Sequence, residues 1–177
     1  MLKPWITASL PAYDPYYPWL TSTGSLTARI VARSNKFRVE RRYQGTGLPA
    51  IDETELVGLC GKQFAHVREV VLLADEVPVV FAHSVAMMND LKGVWRSVSK
   101  LGNRPLAAAL FANPLVKRFP LQYRQINRHH YLYARILRAG LHPPGRLWAR
   151  RSLFHLHERP LLVTEVFLPE ILKLNKK

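Results

Sequence analysis

The chain has 177 residues, 48% apolar and 21% charged, enough for one domain with its own core and a composition that argues against wholesale disorder. Lys and Arg number 26 against 12 Asp and Glu, a formal charge of +14, which points to an anionic partner: nucleic acid, an acidic membrane surface or a small anionic metabolite. The apolar runs Val70–Ala74 and Leu106–Ala112 are far shorter than the ~20 residues of a membrane span. The N-terminus lacks the apolar block of a secretory signal, and the one cysteine, Cys60, excludes an internal disulfide or a multi-cysteine metal site. A cytoplasmic monomer without a transmembrane segment is the expectation.

Residues 1–23 carry four prolines among Trp5, Tyr13, Tyr16, Tyr17 and Trp19, a pattern for an irregular aromatic segment laid on the body. Ser25 is placed to cap a helix over Leu26–Arg33. Lys36–Tyr43 alternates as a strand does. Residues 44–55, with Gly45, Gly47 and Pro49, read as a loop. His66–Ala74 and Val77–Val85 flank Asp75-Glu76 and predict a β-hairpin. A helix starting at Asn89 or Asp90 would bury Leu91, Val94, Trp95, Val98 and Leu101 and end at Gly102. Pro105 opens a second short helix that stops at Asn113-Pro114. Residues 115–145 form a basic, insertion-like segment of ambiguous secondary structure, with Tyr131–Ala139 a candidate helix and Pro143-Pro144-Gly145 closing it. Leu147–His157 and Leu161–Leu168, joined by Glu158-Arg159-Pro160, predict a second hairpin. The sum is an α+β domain over residues 1–177, built on an antiparallel sheet.

Half of the cations lie between Lys92 and Arg151, a span in which Leu91–His157 contains no acid. Arg124, Arg128, Arg135 and Arg138 are interleaved with Tyr123, His129, His130, Tyr131 and Tyr133. Such interleaving suits single-stranded nucleic acid, but no nucleic-acid-binding module signature accompanies it. A solvated basic face is the alternative.

Two charged residues sit where strands are otherwise apolar. Glu165 lies inside Leu161–Leu168, so it must find a partner or a proton. Arg68 lies inside His66–Leu73, where a guanidinium can grip a ligand carboxylate bidentately or pair with a neighbouring acid, Glu165 included. The amides of Leu26 and Leu106 open predicted helices and are free to meet an anion. His155 and His157 would share a strand face, but no third ligand accompanies them and no metal site is expected. His129-His130 reads as surface, and Cys60 as an inert thiol with no base beside it. Gly45-Thr46-Gly47 and Gly58–Lys62 do not complete a phosphate-loop spacing.

Several blocks together resemble the chorismate pyruvate-lyase family: Trp19 with Gly24-Ser25-Leu26-Thr27, Arg68-Glu69-Val70-Val71-Leu72-Leu73-Ala74-Asp75, Lys100-Leu101-Gly102 with Pro105-Leu106 and Leu110-Phe111, Leu147–Ser152, and Pro160–Pro169. The resemblance implies an antiparallel sheet whose helical flaps close over a buried pocket. It also implies conversion of chorismate to 4-hydroxybenzoate and pyruvate, the first committed step toward ubiquinone, with no cofactor and no obligatory nucleic acid. It places Arg68 and the Leu26 and Leu106 amides on the ring carboxylate, and Glu165 at the hydroxyl side of the ring. Where the family carries a Gly-Arg pair this chain has Ala82-His83, which makes His83 a candidate replacement for that cation. A non-catalytic effector-binding module of the same fold remains an alternative, although no helical DNA-binding domain is expected ahead of residue 25. The third reading is a single-stranded nucleic-acid binder.

Overall fold

The computed structural model describes residues 4–7 and 11–174. Its frame is one sheet of seven antiparallel strands: β1 (Phe37–Gly47), β2 (Ala65–Ala74), β3 (Val77–Ala86), β4 (Lys117–Arg118), β5 (Gln122–Asn127), β6 (Arg146–Leu156) and β7 (Arg159–Phe167). The order across the sheet is β1-β2-β3-β7-β6-β4, and β5 also pairs with β6. The two predicted hairpins are the centre of the frame. Both turn through two residues with positive φ, Asp75-Glu76 and His157-Glu158, the twist that matches flanking strands in tight hairpins. Asp75 secures its turn by accepting from the Asn35 and Lys36 amides at 2.8 Å each. The second loop is therefore His157-Glu158; Arg159 and Pro160 already belong to β7, and Pro160 pairs with His155.

Because side chains alternate along strands, the sheet has two distinct faces. On one, Val70, Leu72, Val80 and Phe167 pack under α1 (Tyr17–Leu20) and α2 (Leu26–Val31). Farther along that face, Ala86, Phe154 and Leu161 pack under α4 (Arg96–Ser99) and α5 (Leu106–Phe111) through Trp95, Val98, Leu101 and Leu110. On the other face, Val71, Phe81, Ala149 and Val166 pack against α6 (Tyr131–Arg138) through Leu132, Tyr133 and Ile136.

Several expectations shift. Strand β1 runs on to Gly47 by way of a bulge between Arg41 and Tyr43, so part of the expected loop at 44–55 is strand, and α3 (Ile51–Thr54) occupies another part. The helix expected from Asn89 to Leu101 is interrupted. A 3-10 turn at Met88–Leu91 precedes α4, because the Asp90 carbonyl accepts from both Gly93 and Trp95 and closes the chain on itself. Leu91, Trp95, Val98 and Leu101 are buried all the same, Val94 is half-buried, and Gly102, at φ 56, ends the run. Residues 115–145 contribute β4, β5 and α6 to the frame. Most of the N-terminal aromatics lie on the body: Trp19 is buried, Tyr16 and Tyr17 pack against the core and Trp5 donates to Asp52 at 2.7 Å, but Tyr13 is 90% exposed.

Candidate functional site

A cavity opens on the first face between the two helical flaps. Its empty space, open mouth included, is about 670 Å³. Leu26 and Thr27 of α2 line one side, Leu106 and Leu110 of α5 another, and Arg68, Glu165, Arg150 and Arg118 supply the charge. Four of these residues are the ones the sequence singled out: Arg68, Glu165, Leu26 and Leu106. They come from β2, β7, α2 and α5 and meet in one place.

Arg68 is 2% exposed. Its Nη2 donates to the carbonyls of Gly102 at 3.1 Å and Arg104 at 2.9 Å, on the loop that leads into α5. Its Nε is buried with no hydrogen-bond partner among the described residues, and no carboxylate there lies within ion-pair distance. Burial, with Arg41 nearby, pulls its pKa down to about 10, so it stays charged at neutral pH. The expected alternative of a pair with Glu165 is not what forms. A buried guanidinium with an idle donor is costly, and an anion in the cavity would relieve that cost.

Glu165 pairs instead with Arg150, directly opposite it on β6, through an Nε–Oε2 contact of 2.6 Å. Arg150 is 1% exposed. Its Nη1 donates to the carbonyls of Trp19, Leu20 and Ser22, so it fastens the α1–α2 segment over the sheet. Arg118 also holds that segment, by donating to the Thr23 carbonyl. The Arg68 contacts do the same for the loop before α5. Each flap is thus tied to a guanidinium through its own carbonyls. The Leu26 and Leu106 amides, first in their helices, have no intrahelical acceptor, and both residues border the cavity.

His83 is placed differently from the expectation. It borders the cavity through its strand position, but its ring lies on the other face. There its Nδ1 is 3.2 Å from Glu69 Oε1 and its Nε2 is 3.2 Å from Glu53 Oε1; the latter is an ion-pair contact off hydrogen-bond direction. Arg135 meets Glu69 at 2.6 Å, and the Tyr131 hydroxyl donates to Glu53. Burial alone would raise the Glu53 carboxyl; the His83 charge and the Tyr131 hydroxyl hold it at about 2. Burial alone would lower His83; Glu53 and then Glu69 push it to about 9. His83 is therefore a buried cation committed to two carboxylates and does not replace a cation of the cavity.

The remaining candidates disperse. His155 ends up near β6's end against Phe119, while His157 sits in the turn, so the two do not share a strand face. His130 is buried, not surface; it caps α6 by accepting from the Leu132 amide. Cys60 is exposed. Gly45 and Gly47 belong to β1 and form no phosphate loop. Of the interleaved aromatics in the basic segment, Tyr123 and Tyr133 are core residues, and Arg124 and Arg135 pair internally with Asp52 and Glu69. That leaves no alternating stacking platform of the kind the nucleic-acid reading needs. Sequence reasoning missed Arg150, Arg118 and the whole Glu53–His83–Glu69 network.

Comparison with known proteins bears on this geometry. The family described as "Chorismate lyase" matches residues 12–177. The chain belongs to the chorismate lyase family. A relative from Nitrosomonas europaea named "Probable chorismate pyruvate-lyase" is 46% identical over 170 residues, covering 96% of each chain. One of the same name from Aromatoleum aromaticum is 49% identical over 159 residues, covering 89% of this chain and 86% of that one. Among solved structures, the effector domain of PhnF from Mycobacterium smegmatis superposes with a TM-score of 0.59 at 10% identity, covering 84% of this chain and 91% of that chain. The ligand-binding domain of a GntR-family regulator from Bordetella bronchiseptica gives 0.53 at 13%, covering 77% and 87%. These two establish a shared fold: an antiparallel sheet with flaps on one face. No helix among the described residues is long and apolar enough to cross a membrane.

Proposed function

We propose that this lyase converts chorismate to 4-hydroxybenzoate and pyruvate, the entry step to ubiquinone, as a cytoplasmic monomer whose site is complete within one chain. The observation that carries the reading is Arg68: a charged, acid-free guanidinium with an idle buried Nε, in the same cavity as a carboxylate on another strand. A flat ring with a carboxylate at one end and a hydroxyl at the other fits between them.

In the reaction the ether C–O bond to the enolpyruvyl group breaks. The hydrogen on the hydroxyl-bearing ring carbon is lost from the ring and ends on the methylene carbon that becomes the pyruvate methyl. The ring gains its third double bond, and aromatisation drives the step. What falls to the protein is placement and charge stabilisation. Arg68 holds the ring carboxylate, with the Leu26 and Leu106 amides assisting. Glu165 accepts from the ring hydroxyl; Arg150 fixes one of its oxygens, and no described residue bonds the other. The carboxylate is thus aimed before substrate arrives and is available for proton transfer.

The test is direct. Purified protein is mixed with chorismate, and 4-hydroxybenzoate is followed by absorbance or chromatography. Stoichiometric 4-hydroxybenzoate and pyruvate are expected; folded protein that yields neither overturns the proposal. Its fold neighbours favour a second reading, binding without turnover, which tight 4-hydroxybenzoate binding in the absence of product formation would support.

A further inference from the structure

The cavity carries more positive charge than one carboxylate needs. Arg68, Arg118 and Arg150 all line it, and Glu165 is the one acid among the lining residues. Glu165 takes Arg150. Two guanidiniums are left without a carboxylate, Arg68 and Arg118, and the cavity has an excess of two positive charges.

These two cannot serve the same carboxylate from the same side. Arg68 stands on β2 and Arg118 on β4, with β3, β7 and β6 between them. Four inter-strand spacings of ~4.8 Å separate their backbones by roughly 19 Å. Both line the cavity, and Glu165 on β7 lies between their strands. That spacing suits one guest bearing two anionic ends.

Arg118 is also aimed. Its Nε donates to Ser152 Oγ at 3.1 Å, and that hydroxyl is itself fixed by donating to the Phe119 carbonyl at 2.7 Å. Its Nη1 donates to the Thr23 carbonyl. Its guanidinium carbon lies 5.3 Å from the Phe154 ring centre and 5.9 Å from that of Phe111. None of these partners is an anion, and its Nη2 is bonded by no described residue. Arg118 is half-buried and Glu165 acts on it only from beyond ion-pair distance; no carboxylate of the described residues touches it, and a ligand anion would fill that place.

We propose that Arg118, positioned by Ser152, is a second carboxylate subsite that takes the carboxylate of the enolpyruvyl ether. The inference rests on the lyase reading and sharpens it. Substrate, with two carboxylates, engages both ends of the cavity. 4-Hydroxybenzoate, with one, engages Arg68 alone, and pyruvate departs from the Arg118 end.

The experiment compares three probes by calorimetry: 4-hydroxybenzoate, 3-ethoxy-4-hydroxybenzoate, and 3-(carboxymethoxy)-4-hydroxybenzoate. The last carries a carboxylate where the second has a terminal methyl. The wild-type protein should bind the dicarboxylate at least about tenfold more tightly than the ethoxy compound, the scale of one charge-assisted contact. Arg118→Met should abolish that preference, bringing the ratio of the two affinities to about one; because the side chain also ties the Thr23 carbonyl, the ratio is the readout and not 4-hydroxybenzoate affinity itself. Arg118→Lys, which keeps the charge but loses the planar fork, should retain part of it and serves if the Met variant does not fold. A preference that survives in both variants, its absence in the wild type, or an equal loss for all three probes overturns the subsite. Turnover of chorismate is scored separately. An intact dicarboxylate preference without turnover would defeat the lyase reading and leave the subsite standing.

Discussion

The two faces of the central sheet both bury charge and treat it in opposite ways. Under α6, His83 lies between Glu53 and Glu69, and Arg135 and Tyr131 complete the set. Each charge there has an opposite charge of the protein's own. Under the flaps, Arg68 has carbonyls and an idle Nε but no acid, and Arg118 has a hydroxyl and a carbonyl but no acid. Saturated charge orders a core; unsaturated charge, held at the wall of a void, selects a guest. Adjacent residues of one strand, Arg68 and Glu69, thus do opposite work because they point to opposite faces.

The sharpest way to break this contrast is to remove the centre of the saturated face. His83→Leu leaves Glu53 with only Tyr131 and the Ala50 amide and should cost ~3–5 kcal/mol in denaturant unfolding, the usual penalty for an orphaned buried ion. The same network sets a pH window. His83 is raised from 6.5 to about 9, so its contribution is complete below pH 6.5 and fades as pH rises through about 9. Glu53 is depressed from 4.5 to about 2, so its contribution is complete above pH 4.5 and is lost as pH falls through about 2. Wild-type melting temperature should therefore fall between pH 6.5 and 9, and the variant's should fall less.

On the unsaturated face the readout changes from stability to binding. Arg68→Met should weaken 4-hydroxybenzoate binding by ~2–5 kcal/mol in calorimetry, while the ligand-free melting temperature holds or rises because an uncompensated cation is gone. If instead the variant melts much earlier with binding unchanged, the contrast between the faces fails. Glu165→Gln keeps a hydrogen-bonding shape and should lower turnover about 10²-fold, ~2.7 kcal/mol in barrier, with the fold intact by circular dichroism. The smallest effect lies away from both faces. Glu158, at φ 59 in the second turn, becomes easier to accommodate as glycine; Glu158→Gly should stabilise by ~0.5–1 kcal/mol and leave 4-hydroxybenzoate affinity unchanged.

Much of this arrangement could be read from the residues. Asp75-Glu76 between two valine-rich runs specified the first hairpin, and Ser25 and Pro105 marked where the flap helices begin. Arg68 and Glu165 stood out as charges in apolar strands. The Arg150–Glu165 pair was also within reach: counting outward from His157-Glu158 in strict register places them opposite each other, but the misplaced loop at Glu158–Pro160 hid it. The pairing of Glu69 with His83 was harder to find, because a bulge at Leu72/Leu73 shifts the register of that hairpin by one residue. Glu53 and Arg135 join the network from distant segments, and no local pattern announces such a contact. The broken helix at 88–101 failed for a physical reason: its apolar spacing satisfies burial whether or not the backbone stays helical.

Arg68 has a mechanical role as well as an electrostatic one. The guanidinium that faces the void also tethers the strip of backbone at Gly102 and Arg104 that covers it. A guest that recruits the idle nitrogen stiffens the side chain, and through it the roof above. Contact with a guest and anchorage of the cover thus fall to different nitrogens of one side chain.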